Sequence, residues 1–465
     1  MIGIIFLIAY AAVMIIATIL LSRKSDNKDN FYVGNRNMGV FTSALSIAAT
    51  WFWAPALFTS SEKAYTNGFA GLFWFLVPNV LCLLLFIPFA KKIRQEMPQG
   101  ITLSGYIYQK YKSKSARNVY LVQLIGLSVL STAVQLFAGG TIMSMITGIP
   151  FPIMVVILAA IAYSYSRISG IQASVITDDI QMFFVLGACA LFVPWALMQH
   201  GGVSAMVNGL GGITGEYTSI FGSKGLEVFL GFGLPTAIGL ISGPFGDQCF
   251  WQRAFCIKED KIGKAFGLGA FFFALAPLSM GILGFIAAGK GFVAQSTGTV
   301  NFELIESIFP AWCVIPFLFM LISGLLSTID SNLCAISSLT TDMLPKTNVK
   351  TAKVSMLVLL ACGILMSLIP GLTVTKLFLF YGILRATTLL PTVITLCHVK
   401  LTGRGVARGV LTSLVIGLPI FGYGNIANDS TFKTIGALTA VLLSGAVAFI
   451  SSRKEMRKCS DVSRT

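Results

Sequence analysis

The chain has 465 residues, 55% of them hydrophobic and only 11% charged, with a mean hydropathy of +0.82. Roughly a quarter of the residues in soluble domains are charged, so a soluble globular protein is excluded. Apolar runs of ~20 residues without alternation exclude a β-barrel and leave an all-α polytopic membrane protein. The formal charge of +15 therefore reads as positive-inside asymmetry, and no nucleic-acid partner is expected.

Hydropathy and the basic clusters predict thirteen spans. The first, 2–21, has no basic residue before it and Arg23 and Lys24 after it. That predicts a retained span with its N-terminus outside, not a cleaved signal. The second, 40–62, is interrupted at Ala48–Pro55, and the third covers 70–90. A basic loop from Lys91 to Arg117 precedes spans at 118–147, 150–166 and 171–196, then a polar, Gly-rich loop at 197–224. The seventh span, 226–250, carries Gly231, Gly233, Pro235, Gly239, Gly243, Pro244 and Gly246. Spans at 265–289, 306–343, 353–370, 374–398, 406–423 and 434–452 complete the series, and a basic tail ends inside. Basic clusters fall in alternate loops, which predicts a multi-pass protein of the plasma or inner membrane with a cytoplasmic C-terminus.

Broken helices in corresponding positions of two halves mark the binding site of transporters built from inverted repeats. The second and seventh spans meet that description. They predict one transporter domain with repeats over 40–196 and 226–398, flanked by 1–39 and 399–465. The stretch 318–344, LFMLISGLLSTIDSNLCAISSLTTDML, concentrates Ser323, Ser327, Thr328, Asp330, Ser331, Asn332, Ser337 and Ser338. Membrane hydroxyls can bond the carbonyl one turn back, but a carboxylate at a helix centre costs about 3 kcal/mol and needs an ion, a partner or a cavity. Arg385, inside LFLFYGILRATTLLP, needs a partner for the same reason. Pairing with Asp330 or Asp247 would make it a scaffold or gate. Lining the chamber, it would favour a carboxylate solute by bidentate pairing.

Nine singly placed cysteines and two histidines, His200 and His398, offer no metal spacing. No nucleophile–base pair or phosphate loop stands out, so neither an enzyme nor an organic cofactor is expected.

The pieces FYVGNR (31–36), SIAATWFWA (46–54), GIQASVITDDIQ (170–181), GDQCFWQR (246–253) and SGLLSTIDSNLCAISSLTTDM (323–343) resemble the solute–sodium symporter family in order and position. That resemblance implies a LeuT-type fold of two inverted five-helix repeats and sodium-driven uptake by alternating access. Residues 50–75 and 246–281 look closest to the urea-permease branch, some of whose members use protons. It implies a sodium site from the carbonyls of Ala48, Trp51 and Gly324 and the hydroxyls of Ser327 and Thr328. The bland alternative is that both hydroxyls only bond their own helix.

Asp178 matches a family carboxylate and, with Ser327, Asp330 and Ser331, would form a second cation site. Asp330 departs from the family pattern, where a small or hydroxyl residue is commoner, and two carboxylates around one ion raise the alternative of a shared proton. Asp178 and Asp179 as a solvated helix end is the bland reading. Thr50, Trp53, Trp74, Asn79, Asp247, Gln248, Trp251 and Arg385 are the candidates for the solute chamber, with Asp247 and Arg253 as a pair at the inner gate. The urea-permease pattern has a small residue where this chain has Arg385. The expected function is sodium-coupled symport of a small polar solute by a monomer in the lipid bilayer, with urea or a short amide favoured. Proton coupling, or a carboxylate or amino-acid substrate, is the alternative. A transporter-like sensor is the competing class, ranked lower because the tail after 452 has no room for a signalling domain.

Overall fold

The computed structural model describes residues 2–22, 28–199 and 201–462; Arg23, Lys24, His200 and Arg464 lie outside the described residues. The chain forms helices because lipid offers backbone N–H and C=O groups no partner. In chain order the principal helices are α1 (Ile2–Leu21), α2 (Val40–Trp51), α3 (Ala54–Glu96), α4 (Leu103–Tyr111), α5 (Lys114–Thr147), α6 (Phe151–Ser169) and α7 (Ile171–Gln199). They continue with α8 (Ser223–Ile241), α9 (Gln248–Cys256), α10 (Ile262–Gly289), α11 (Val314–Met343), α12 (Val349–Ser367), α13 (Val374–Leu396), α14 (Gly403–Ala427) and α15 (Ser430–Val462).

Twelve helices among the described residues are long and apolar enough to cross a membrane, against thirteen expected spans. The difference lies in the second and third spans. The 40–62 segment does not form one long helix: its first half is the twelve-residue α2, and its second half runs into α3. Within α3 that second half joins the 70–90 segment through a kink at Asn67 and Gly68, where Gly68 adopts φ 53°.

Two breaks organise the interior. After α2, Phe52 and Trp53 are extended before Pro55 opens α3. The proline has no N–H to offer the Trp51 carbonyl, and its ring would clash there in a continuous helix. After α8 the chain turns through Pro244–Gly246, and Asp247, extended, caps α9 by accepting from the Cys249 N–H at 2.9 Å. The two breaks touch: a Cβ at Gly243 would overlap the Trp51 indole.

Helix α11 runs through the centre, buried on every side from Met320 to Thr340. It packs against α2, α5, α6, α7 and α12. Such a helix is apolar or internally paired all round, which is how its hydroxyl-rich half can be accommodated.

Candidate functional site

Where α11 passes the first break, Gly324 lets it come close: a Cβ there would lie 2.7 Å from the Phe52 ring. The Thr328 hydroxyl donates to the Gly324 carbonyl at 3.1 Å and stands 3.5 Å from the Phe52 carbonyl. Ser327, one residue earlier, donates instead to Asp178 Oδ1 at 2.5 Å. The Ala48 carbonyl accepts from the Phe52 N–H at 2.8 Å, and the Trp51 carbonyl lies at the break. Of the five expected sodium ligands, Gly324 and Thr328 are in contact and Ser327 is turned towards the neighbouring acid. The Phe52 carbonyl joins them; Pro55 was the signal that could have named it, because it forces the preceding residues out of the helix.

The second cluster is a buried charge network. Asp178 and Asp330 are fully buried, so Asp178 is no solvated helix end. Arg253 Nη2 lies 3.0 Å from Asp178 Oδ2, which also accepts from Ser46 at 2.6 Å. The same guanidinium donates to Ser46 at 3.0 Å, Ser331 at 2.8 Å and Ser174 at 3.4 Å. Ser331 is 3.0 Å from the Thr50 hydroxyl. Asp330 accepts from Ser174 at 2.6 Å, Tyr165 at 3.0 Å and Thr177 at 3.3 Å. The expected Asp247–Arg253 pair is not formed, because α9 turns Arg253 towards α2, α7 and α11 while Asp247 caps its start. Arg253 is fully buried, whereas the basic residues Lys258, Lys261 and Lys264 that follow it are not. Its position between Phe250, Trp251 and Phe255 was the available sign of burial.

The third cluster adjoins the contact between the breaks. Arg385 Nη2 lies 2.6 Å from Asp247 Oδ2, and Tyr381 donates to the same oxygen at 3.4 Å. The guanidinium sits 3.7 Å from the Tyr381 ring, 5.0 Å from Trp51 and 6.0 Å from Trp53, a cation–π cage. Trp53 in turn packs on Phe378 at 4.7 Å. Trp51 Nε1 donates to the Asn79 carbonyl at 3.1 Å. A small cavity of ≈ 10 Å³, room for about one water molecule, lies between Thr236, Gly239, Phe378, Gly382 and Arg385. Trp53 Nε1, Arg385 Nε, Asn79 Oδ1 and Thr236 Oγ1 are buried without a hydrogen-bond partner. Buried polar atoms are normally satisfied, so the unpartnered Trp53 Nε1 and Arg385 Nε of one cation–π cage, with Thr236 Oγ1 beside Arg385 at the cavity, call for a ligand or water.

Of the expected solute-site residues, Arg385 lines this cavity and Asp247 and Trp53 contact its guanidinium, while Asn79 meets the cluster through its backbone carbonyl and turns its amide nitrogen to the Phe75 carbonyl. The other four candidates are placed elsewhere. Thr50 faces Ser331 in the charge network, and Trp74 packs on Phe229 at 4.6 Å. Gln248 ties α9 to the Ile101 carbonyl, the Leu103 N–H and Ser338. Trp251 stacks edge-on to Phe86 at 4.5 Å and donates to the Phe245 carbonyl. Tyr381 and Phe378, four and seven residues before Arg385, are the chamber residues that sequence reasoning missed. Their spacing on one helix face was the usable signal.

The model of the sodium:solute symporter family matches residues 31–417. A urea–proton symporter of Oryza sativa subsp. japonica is 22% identical over 90% of this chain, which spans 65% of that relative's length. A sodium/pantothenate symporter of Haemophilus influenzae is 26% identical, covering 85% of this chain and 84% of that one. Among solved structures, a substrate-bound, outward-open Na+-coupled sialic acid symporter superposes with a TM-score of 0.77 over 97% of this chain and 98% of that one, at 17% identity. That likeness is one of fold, the LeuT type.

Proposed function

The chain belongs to the sodium:solute symporter family, and on that premise we propose that it carries a small, neutral, planar polar solute of the urea or short-amide class together with sodium. One observation carries the reading. The four residues 50–53 present the Phe52 carbonyl to Thr328 on one side and the Trp51 and Trp53 rings to Arg385 on the other. Ion and solute therefore act on the same unwound segment.

A small hard cation takes oxygen ligands; the Phe52 and Gly324 carbonyls meet at the Thr328 hydroxyl, and the Ser327 hydroxyl and the Ala48 and Trp51 carbonyls are the further ligands of this reading. Sodium there holds α11 against the break and fixes Trp51 and Trp53 in the chamber. Its release frees both. The chamber's own charges cancel in the Arg385–Asp247 pair, and burying a further net charge would cost several kcal/mol. Aromatic faces with the unpaired donors of Trp53 and Arg385 and the Thr236 hydroxyl suit an uncharged solute rich in N–H and C=O groups. The urea-transporter relative supports the same class.

The repeats are assigned to 40–196 and 226–398. The protein is a monomer in the plasma or inner membrane, N-terminus outside, with its basic loops cytoplasmic. The test is uptake by proteoliposomes of radiolabelled urea, acetamide, acetate, proline and glucose under an inward sodium gradient. Sodium-stimulated entry of the first two is expected. Entry driven by a pH gradient and indifferent to sodium would replace the coupling ion. Preferential entry of acetate or proline would replace the solute class.

A further inference from the structure

Gln248, turned away from the solute chamber, is the first residue of α9 and is 1% exposed, so the polar atoms of its amide need partners. Its Nε2 donates to the Ile101 carbonyl at 2.9 Å and to Ser338 on α11 at 3.1 Å, and its Oε1 accepts from the Leu103 N–H at 3.1 Å. The segment it holds is pressed against α9: a Cβ at Gly100 would overlap the Phe255 ring.

Asp342 grips the same segment from α11. It lies in the last turn of that helix, where an acid opposes the helix dipole. The start of α4 compensates it. Thr102, the N-cap of α4, and Ser104 both donate to Asp342 Oδ2, the latter at 2.6 Å, and a carboxylate is favoured at a helix N-terminus.

We propose that Gln248 and Asp342 are positioning residues that latch the transport path shut on the face of the basic loops, by gripping residues 101–104 between α9 and α11. Solute or ion leaving between these two helices must first part the latch. Asp247, the residue before Gln248, pairs with Arg385 beside the cavity. Consecutive residues thus carry the solute cluster and the latch, and a shift of Asp247 as solute engages Arg385 passes to Gln248 through one peptide. That link rests on the solute reading proposed above; the latch itself does not.

The readout is Cys249, 2% exposed, whose thiol lies 3.6 Å from Asn332 Oδ1 in the seam between α9 and α11. Sealed vesicles with the basic loops outward are treated with a membrane-impermeant maleimide, without sodium or solute, and labelling at each cysteine is followed by mass spectrometry. Asp342→Ala, far along the chain from the reporter, should speed Cys249 labelling by on the order of tenfold, the scale of a hydrogen bond to a charged group. Gln248→Ala should speed it as well, and Asp342→Asn, which keeps an acceptor, should speed it less. Cys189, buried on α7, should label at the wild-type rate. An unchanged Cys249 rate in Asp342→Ala overturns the latch, as does a gain matched at Cys189 or an equal gain in vesicles with the loops inward. Asp342→Asn decides where the alanine variant does not fold. With no sodium or solute in the assay, a latch that fails leaves the uptake reading standing, and failed uptake leaves the latch.

Discussion

Arg385 Nη2 and Asp247 Oδ2 are 2.6 Å apart, with both side chains all but sealed from solvent. Asp247 caps α9 just after the second break, and Arg385 stands 138 residues further along the chain on α13. Removing one partner of a buried pair typically costs 3–5 kcal/mol, whereas removing both charges costs far less. Asp247→Asn or Arg385→Gln alone should each lower stability by about 3 kcal/mol or more and abolish solute uptake. The double variant should recover most of the stability but not the uptake. Thermal unfolding in detergent beside vesicle flux separates the two effects.

The Thr328 hydroxyl contributes to the ion through one oxygen. Losing a hydrogen-bonding contact to a charged group costs about 1.5 kcal/mol, a little over tenfold. Thr328→Ala should raise the sodium concentration for half-maximal uptake by roughly tenfold, and Thr328→Ser should leave it near the wild-type value. With Ser327→Ala added, sodium stimulation should vanish. A sodium titration of uptake reads all three.

Gly324 has a steric role. A methyl group there meets the Phe52 ring at 2.7 Å, and overpacking of this kind costs about 1–3 kcal/mol. Gly324→Ala should weaken sodium binding by pushing α11 from the break. Gly187→Ala, where a Cβ meets nothing within 4 Å, should be neutral or stabilise by up to ~1 kcal/mol. Equal sodium affinities in the two variants would remove this role.

Asp330→Asn preserves the shape of an acid that accepts from Ser174, Tyr165 and Thr177 while deleting one negative charge from the cluster. Sodium affinity should fall by on the order of tenfold. Folded protein yield should hold, because an uncompensated buried charge has been removed. Titration calorimetry with sodium chloride reads the first effect and size-exclusion profiles the second.

Much of this was legible along the chain. Apolar runs and alternating basic loops yield the spans because lipid admits few other arrangements. The hydroxyl run of α11 and the buried Asp330 announce a polar interior, and Pro55 and Pro244 announce the breaks. Arg385 announces a need for compensation, since a lone guanidinium within a span is costly.

The partners were a different matter. Asp247 lay within reach of either Arg253 or Arg385, and only the rotation of α9 about its axis sends Arg253 to Asp178 and leaves Asp247 for Arg385. The same rotation takes Trp251 and Gln248 out of the chamber, while the approach of α13 brings Tyr381 and Phe378 in. Local sequence governs where a helix forms and where it must break, because proline chemistry and desolvation act over a few residues. Which side chains share a cluster depends on helix azimuth and on contacts between residues more than seventy positions apart, and these exist only once all the helices have packed.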